Sequence, residues 1–214
     1  MLLKLKRKLV RLIKRWLRNK KIVLLVLVIV LCIGAVVYSN YIENKRLTVN
    51  PSTYAPLLQL IAHAESKNNY NAYFGNAANT TIDFTHMSIG QVMKWQAGYR
   101  AKGNPSNAVG KYQIISSTLS GLIDRLGIDT NQKFDKATQD SLAIALLERR
   151  GSELYINNEL TREQFAANIA KEWAGLPKIV GEKPDDSYYA SDGLNKSNVK
   201  TGEVLNAIKA IKPQ

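Results

Sequence analysis

The sequence predicts a mainly α-helical domain with room for at most a small β-hairpin, preceded by a single transmembrane helix. Three observations lead there. Helix start and stop signals recur from Thr53 to the C-terminus, separated by loops rich in Asn, Gly, Ser and Tyr. The run Ile22 to Tyr38 contains no charged side chain. Only the stretch near 72–86 leaves room for a short hairpin, and no internal repeat is present. A length of 214 residues suits one domain of ordinary size with extensions.

Residues 1–21 hold ten of the thirty Lys and Arg and no acidic residue. Leu2, Leu5, Leu9, Leu12 or Ile13, and Trp16 recur at helical spacing, with Lys4, Arg7, Lys8, Arg11, Lys14, Arg15 and Arg18 on the other side. Such a segment reads as a cytoplasmic helix lying on an anionic leaflet, or as charge that only sets topology. A span over 22–41 follows, long enough for a hydrocarbon core of roughly 30 Å. Val37-Tyr38-Ser39 makes a poor cleavage site, so an uncleaved anchor is expected rather than a signal peptide. The basic flank predicts a cytoplasmic N-terminus, an inner-membrane location and an extracytoplasmic C-terminal domain. Residues 42–52 read as a polar linker, and 53–214 as the folded domain.

Within that domain Thr53 caps a helix that carries Leu57, Leu58, Ile61 and Glu65 on related positions, with Pro56 tolerable in its first turn. Ser88 with Gln91 forms a capping-box pattern. Leu119, Leu122, Ile123 and Leu126 make an apolar stripe that Gly127 ends. Asp135 opens a helix running to Arg150, and Gly151 stops it. Thr161 with Gln164 opens another, with Phe165, Ile169 and Trp173 on one face. A last helix spans about 201–211 and buries Val204, Leu205 and Ile208.

The net charge of +13 suggests nucleic acid until it is located. Outside residues 1–21, twenty basic residues face seventeen acidic ones, an excess of only three over 193 residues. A DNA-binding domain spreads or stripes its charge over the fold, so no nucleic-acid partner is expected. Cys32 is the single cysteine, and the histidines are His63 and His86. That excludes an intrachain disulfide and a multi-cysteine zinc site. His63-Ala64-Glu65 matches the opening of a zinc-deaminase signature whose cysteine pair is missing. No metal and no cofactor are expected.

Glu65 is the candidate for chemistry. It ends its helix beside the apolar face, where the helix dipole and partial burial both disfavour ionisation. A carboxyl that keeps its proton near neutral pH suits a general acid. The plain alternative is a surface glutamate neutralised by Lys67. Farther along come Gly110-Lys111-Tyr112-Gln113-Ile114, then Glu148-Arg149-Arg150-Gly151, then Trp173-Ala174-Gly175-Leu176-Pro177. With Glu65-Ser66, these motifs and their order resemble the lysozyme-like superfamily, especially its phage-type muramidases and lytic transglycosylases. The resemblance covers roughly residues 54–200.

It implies a lysozyme-like α+β fold and a peptidoglycan substrate, cut between N-acetylmuramic acid and N-acetylglucosamine. Glu65 would protonate the glycosidic oxygen. Ser66, Gly110, Tyr112 and Gln113 would line or shape the sugar site, and Tyr188 and Tyr189 offer rings for stacking. Tyr112 and Trp173 also read as core residues, and His63 as structural. Hydrolysis usually needs a second carboxylate. Position 74, where one lysozyme pattern has Asp, is Phe, which leaves Asp83 beside Thr85 as candidate or as a simple turn cap. A lytic transglycosylase needs only Glu65, as acid and then as base for the C6 hydroxyl. A non-catalytic peptidoglycan-binding scaffold and a membrane-active N-terminal segment are the competing readings.

Overall fold

The computed structural model describes residues 6, 8, 10, 20–47, 51–181 and 183–211. The basic segment 1–21 lies almost wholly outside them. The chain divides into Met1–Asn50 and Pro51–Gln214.

In the first unit, helix α1 spans Lys20–Leu47. Its described side chains run over 23–37, with Leu24, Leu31 and Val37 among the exposed ones. The helix ends carry Lys20, Lys21, Glu43, Lys45 and Arg46 and do not extend the apolar run. Among the described residues no helix is long and apolar enough to cross a membrane. This corrects the expected transmembrane anchor over 22–41, with the single-pass inner-membrane topology and the membrane partnership that followed from it.

The second unit contains α2 (Ala55–Ser66), α3 (Ile89–Ala101), α4 (Ser116–Leu126), α5 (Lys136–Arg149), α6 (Ser152–Ile156), α7 (Arg162–Ala170) and α8 (Thr201–Lys209). Helix α2 packs on α5 and α8, α8 also on α7, and α3 on α4. Leu57, Ile61, Leu142, Leu146, Phe165, Ile169, Val204 and Ile208 are buried where these helices meet. Burying each such side chain contributes about 1.5–3 kcal/mol. Tyr54, also buried, places its hydroxyl 2.9 Å from Ser152 Oγ and ties the start of α2 to α6.

Caps fix the helix ends. Both boxes form: Ser88 with Gln91 at α3, and Thr161 with Gln164 at α7. Asp135 accepts from the Thr138 N–H at 2.9 Å, and Gly127 ends α4 in the left-handed region. Helix α2 starts later than expected, with Tyr54 as its cap after a 3-10 turn over Pro51–Tyr54. Helix α7 stops at Ala170, so Trp173 stands in the turn beyond it.

The expected α+β fold is also corrected, because the described residues form helices and isolated bridges but no β-strand. The segment near 72–86 shows why. Asn69 Nδ2 donates to the carbonyls of Ala77 and Asn79, Asn79 Nδ2 to those of Asn71 and Ile82, and Asn71 Oδ1 accepts from the Thr85 N–H. These amides take up backbone groups that a hairpin ladder would pair.

Candidate active site

An open cleft of about 670 Å³ runs across this unit. The end of α2, the turn at 109–114, the turn at 173–176 and the loop at 187–198 build it around Glu65, with the segments 73–77 and 105–108 completing its walls. Each is fixed by bonds between residues distant in sequence.

Helix α2 ends with Lys67 and Asn68 at φ 54° and 67°, their N–H groups returning to the His63 and Ala62 carbonyls. Ser66 is buried, with its hydroxyl 2.7 Å from the Lys111 carbonyl and 3.1 Å from that of Ala62. It ties the helix end to the Gly110–Gln113 turn and does not line the cleft.

That turn closes by the Val109–Ile114 bridge and reverses at Gly110 and Gln113, with φ 79° and 48°. Gly110 is required by its neighbours as well as by its φ. An added Cβ would collide with the Gln139 amide and lie 3.1 Å from Phe134. Gln139 is fully buried; its Oε1 accepts from the Lys111 N–H at 2.8 Å, and its Nε2 donates to the Tyr70 and Phe134 carbonyls. On the other flank, buried Gln96 donates from Nε2 to the Asn107 and Ile114 carbonyls.

Tyr112 lines the cleft but is 1% exposed, and its hydroxyl donates to Asp140 Oδ1 at 2.7 Å. Tyr70 shares the same carboxylate at 2.9 Å, and Lys111 Nζ stands 3.0 Å from the Tyr70 hydroxyl. Burial, then the Asp140 bond, pushes the Tyr112 phenol well above its ordinary value. Gln113 lines the cleft with its amide on the Gly110 carbonyl.

Trp173 is buried and donates from Nε1 to the Tyr112 carbonyl at 3.2 Å, joining the second turn to the first. Gly175 then donates its N–H to Glu65 Oε1 at 2.7 Å. A Cβ on Gly175 would stand 2.9 Å from both the Ala64 carbonyl and Glu65 Oε1, so only glycine permits this approach. Asn198 borders the same spot, with Nδ2 2.7 Å from the Ala64 carbonyl. Neither Gly175 nor Asn198 was singled out from the sequence. Gly175 is the variable position of the Trp-Ala-x-Leu-Pro segment, and no sequence signal marks Asn198.

Glu65 lies half-buried at the cleft floor. Burial raises its pKa to about 7 against the opposing pull of the Gly175 N–H. Glu172 and Asp192 also line the cleft. Glu172 is paired with Arg149 and Arg150, each at 2.7 Å. Asp192 accepts from the N–H groups of Leu194 and Asn195.

Asp83 is placed elsewhere. Itself exposed, it caps the 3-10 turn over Phe84–His86, accepts from Thr85 Oγ1 at 2.6 Å and pairs with His86 Nδ1 at 2.6 Å. It is not among the cleft residues. Tyr189 reaches the cleft and donates its hydroxyl to the Lys171 carbonyl at 2.7 Å. Tyr188 packs edge-on against it outside the cleft, half exposed. His63 is exposed on α2. Among the described residues no group of His, Cys, Asp and Glu gathers to hold a metal.

A helical domain that holds one carboxyl near neutrality on the floor of an open groove has the build of a lysozyme-like glycosidase. The endolysin family model matches residues 55–205, and the chain belongs to that family. At the level of its superfamily it is therefore a lysozyme-like glycosidase. Two solved structures are similar, both of the bacteriophage lambda lysozyme. One, complexed with a chitohexasaccharide, shares 18% identity at a TM-score of 0.47, over 76% of this chain and 95% of that one. The other shares 16% identity at the same TM-score, over 76% and 93%. No curated protein matches the chain.

Proposed function

We propose that residues 53–214 form a peptidoglycan-cleaving domain that cuts the β-1,4 bond between N-acetylmuramic acid and N-acetylglucosamine by lytic transglycosylation. The observation that carries this reading is Glu65 itself, a half-buried carboxyl with a pKa of about 7 on the floor of the cleft. Near pH 7 it is divided between the acid and its conjugate base, so one group can donate a proton and take one back. In the first step Glu65 protonates the glycosidic oxygen and the bond to the muramic-acid C1 breaks. In the second the carboxylate removes the proton of the C6 hydroxyl, whose oxygen closes on C1 to give a 1,6-anhydro end.

Transglycosylation is favoured over hydrolysis by what the other cleft carboxylates are doing. Glu172 is neutralised by two arginines and Asp192 holds its own loop. Asp83 is occupied by Thr85 and His86 outside the cleft. Gln113 and Tyr189 are the proposed sugar contacts, with Tyr188 extending the rim beside Tyr189. Ser66 and Gly110 support the floor from behind, and Tyr112, held by Asp140, forms part of it.

Digestion of purified peptidoglycan by the full chain, wild type beside Glu65→Gln, with mass analysis of the products, tests this. Anhydro ends from the wild type alone are expected. Reducing ends would replace transglycosylation by hydrolysis, and equal product from the variant would remove Glu65 from the chemistry.

A further inference from the structure

Helix α2 ends with carbonyls that have no partner within the helix. Those of Ala62 and His63 are met by the N–H groups that follow, whereas that of Ala64 is met by Asn198 Nδ2, 134 residues away, at 2.7 Å. The Asn198 N–H donates in turn to the Gly175 carbonyl at 2.9 Å. Gly175 is the residue whose own N–H reaches Glu65 Oε1. Asn198 therefore grips both sides of that bond: the chain that donates it and the residue just before the one that accepts it.

The consequence for a carboxylic acid is specific. A protonated carboxyl has one oxygen that only accepts and one that carries the proton. An N–H pointed at Oε1 makes Oε1 the accepting atom and leaves the proton to Oε2. We propose that Asn198 is a positioning residue, which by tying Gly175 to Ala64 sets the Gly175–Glu65 bond and thereby fixes the oxygen from which Glu65 delivers its proton. This rests on Glu65 being the acid of the reaction proposed above.

Neighbouring charges do not account for the same effect. The titratable groups lining the cleft beside Glu65 are Tyr73, Tyr112 and Tyr189, Glu172, which is paired with Arg149 and Arg150, and Asp192 and Lys196 on the last loop. Lys111 turns to Tyr70 and Asp140, and His63 lies exposed on α2. The pKa of Glu65 answers instead to burial and to the Gly175 N–H.

The test uses the full chain as wild type and Asn198→Ala, which removes Nδ2 but keeps the backbone N–H. Two quantities are read: the pH profile of peptidoglycan cleavage, and the titration of the Glu65 carboxyl by ¹³C NMR, which needs no activity. Loosening the clamp weakens a bond that favours the ionised form, so the Glu65 midpoint and the basic limb of the profile should both rise by about half a unit or more. The turnover number should fall about tenfold, with KM within about twofold. A variant that is merely less stable would lose rate without moving either midpoint, and that result would overturn the proposal. If Asn198→Ala does not fold, Asn198→Ser, too short to reach Ala64, takes its place. An inactive wild type would remove the proposed function, while the NMR titration still decides whether Asn198 governs the Glu65 bond.

Discussion

Glu65 and Asp83 bear the same functional group in opposite surroundings. Glu65 lies in protein with one N–H on one oxygen, and burial outweighs that bond, so its pKa rises to about 7. Asp83 is half exposed and is met by the Thr85 N–H and hydroxyl, Asn71 and His86. Those bonds hold it below the ordinary carboxylate range. An acid at neutral pH needs the first arrangement, and the second makes a turn cap. What separates a reactive carboxyl from a structural one here is the balance of desolvation against donors.

The comparison can be broken at several points. The largest expected effect on stability is at Glu65. Folding raises the Glu65 pKa from about 4.5 to about 7, so its favourable contribution is complete below about pH 4.5 and is lost as pH rises through about 7. The stability of Glu65→Gln relative to wild type should therefore grow between pH 4 and pH 8, by up to about 3 kcal/mol less the screening by cleft water. Urea unfolding at the two pH values measures it, and a constant difference would mean that Glu65 is not desolvated. Asp83→Asn should differ from wild type in the opposite direction, losing stability above the pKa of an ordinary carboxylate.

Next comes Gly175→Ala. A Cβ held 2.9 Å from a backbone carbonyl and from the Glu65 oxygen must push the turn away. Peptidoglycan-cleavage rates should fall about ten- to a hundredfold as the Gly175 bond to Glu65 is lost. Unchanged kinetics would show that the bond is dispensable. The smallest effect is expected at Tyr112→Phe, which removes one bond to Asp140 while Tyr70 and Lys111 keep the carboxylate paired. Thermal unfolding should report a loss of about 1–2 kcal/mol, with cleavage rates within a few-fold of wild type. A large loss of rate at unchanged stability would instead make its hydroxyl part of the chemistry.

How much of this was legible in the sequence follows the range of the interactions. The capping boxes at Ser88 and Thr161, the Asp135 cap and the Gly127 stop are set within a few residues, and all were readable. Glu65 could be singled out because a helix end is a local feature. The expected hairpin near 72–86 failed because Asn69, Asn71 and Asn79 bond across the loop with their side chains, which alternation of residue types does not reveal. Helix α6 was missed because Gly151, read as a stop, also starts the next helix. Gly175 and Asn198 reach Glu65 and Ala64 from 110 and 134 residues away, and nothing in a linear pattern brings them together.

The most direct test sets the two carboxyls against each other, comparing initial rates of peptidoglycan cleavage for wild type, Glu65→Gln and Asp83→Asn at pH 6. The account predicts a loss of about a thousandfold or more for Glu65→Gln and a rate within about twofold of wild type for Asp83→Asn. Comparable losses in both would make Asp83 a catalytic partner and contradict the single-carboxyl mechanism. An active Glu65→Gln would contradict the account as a whole.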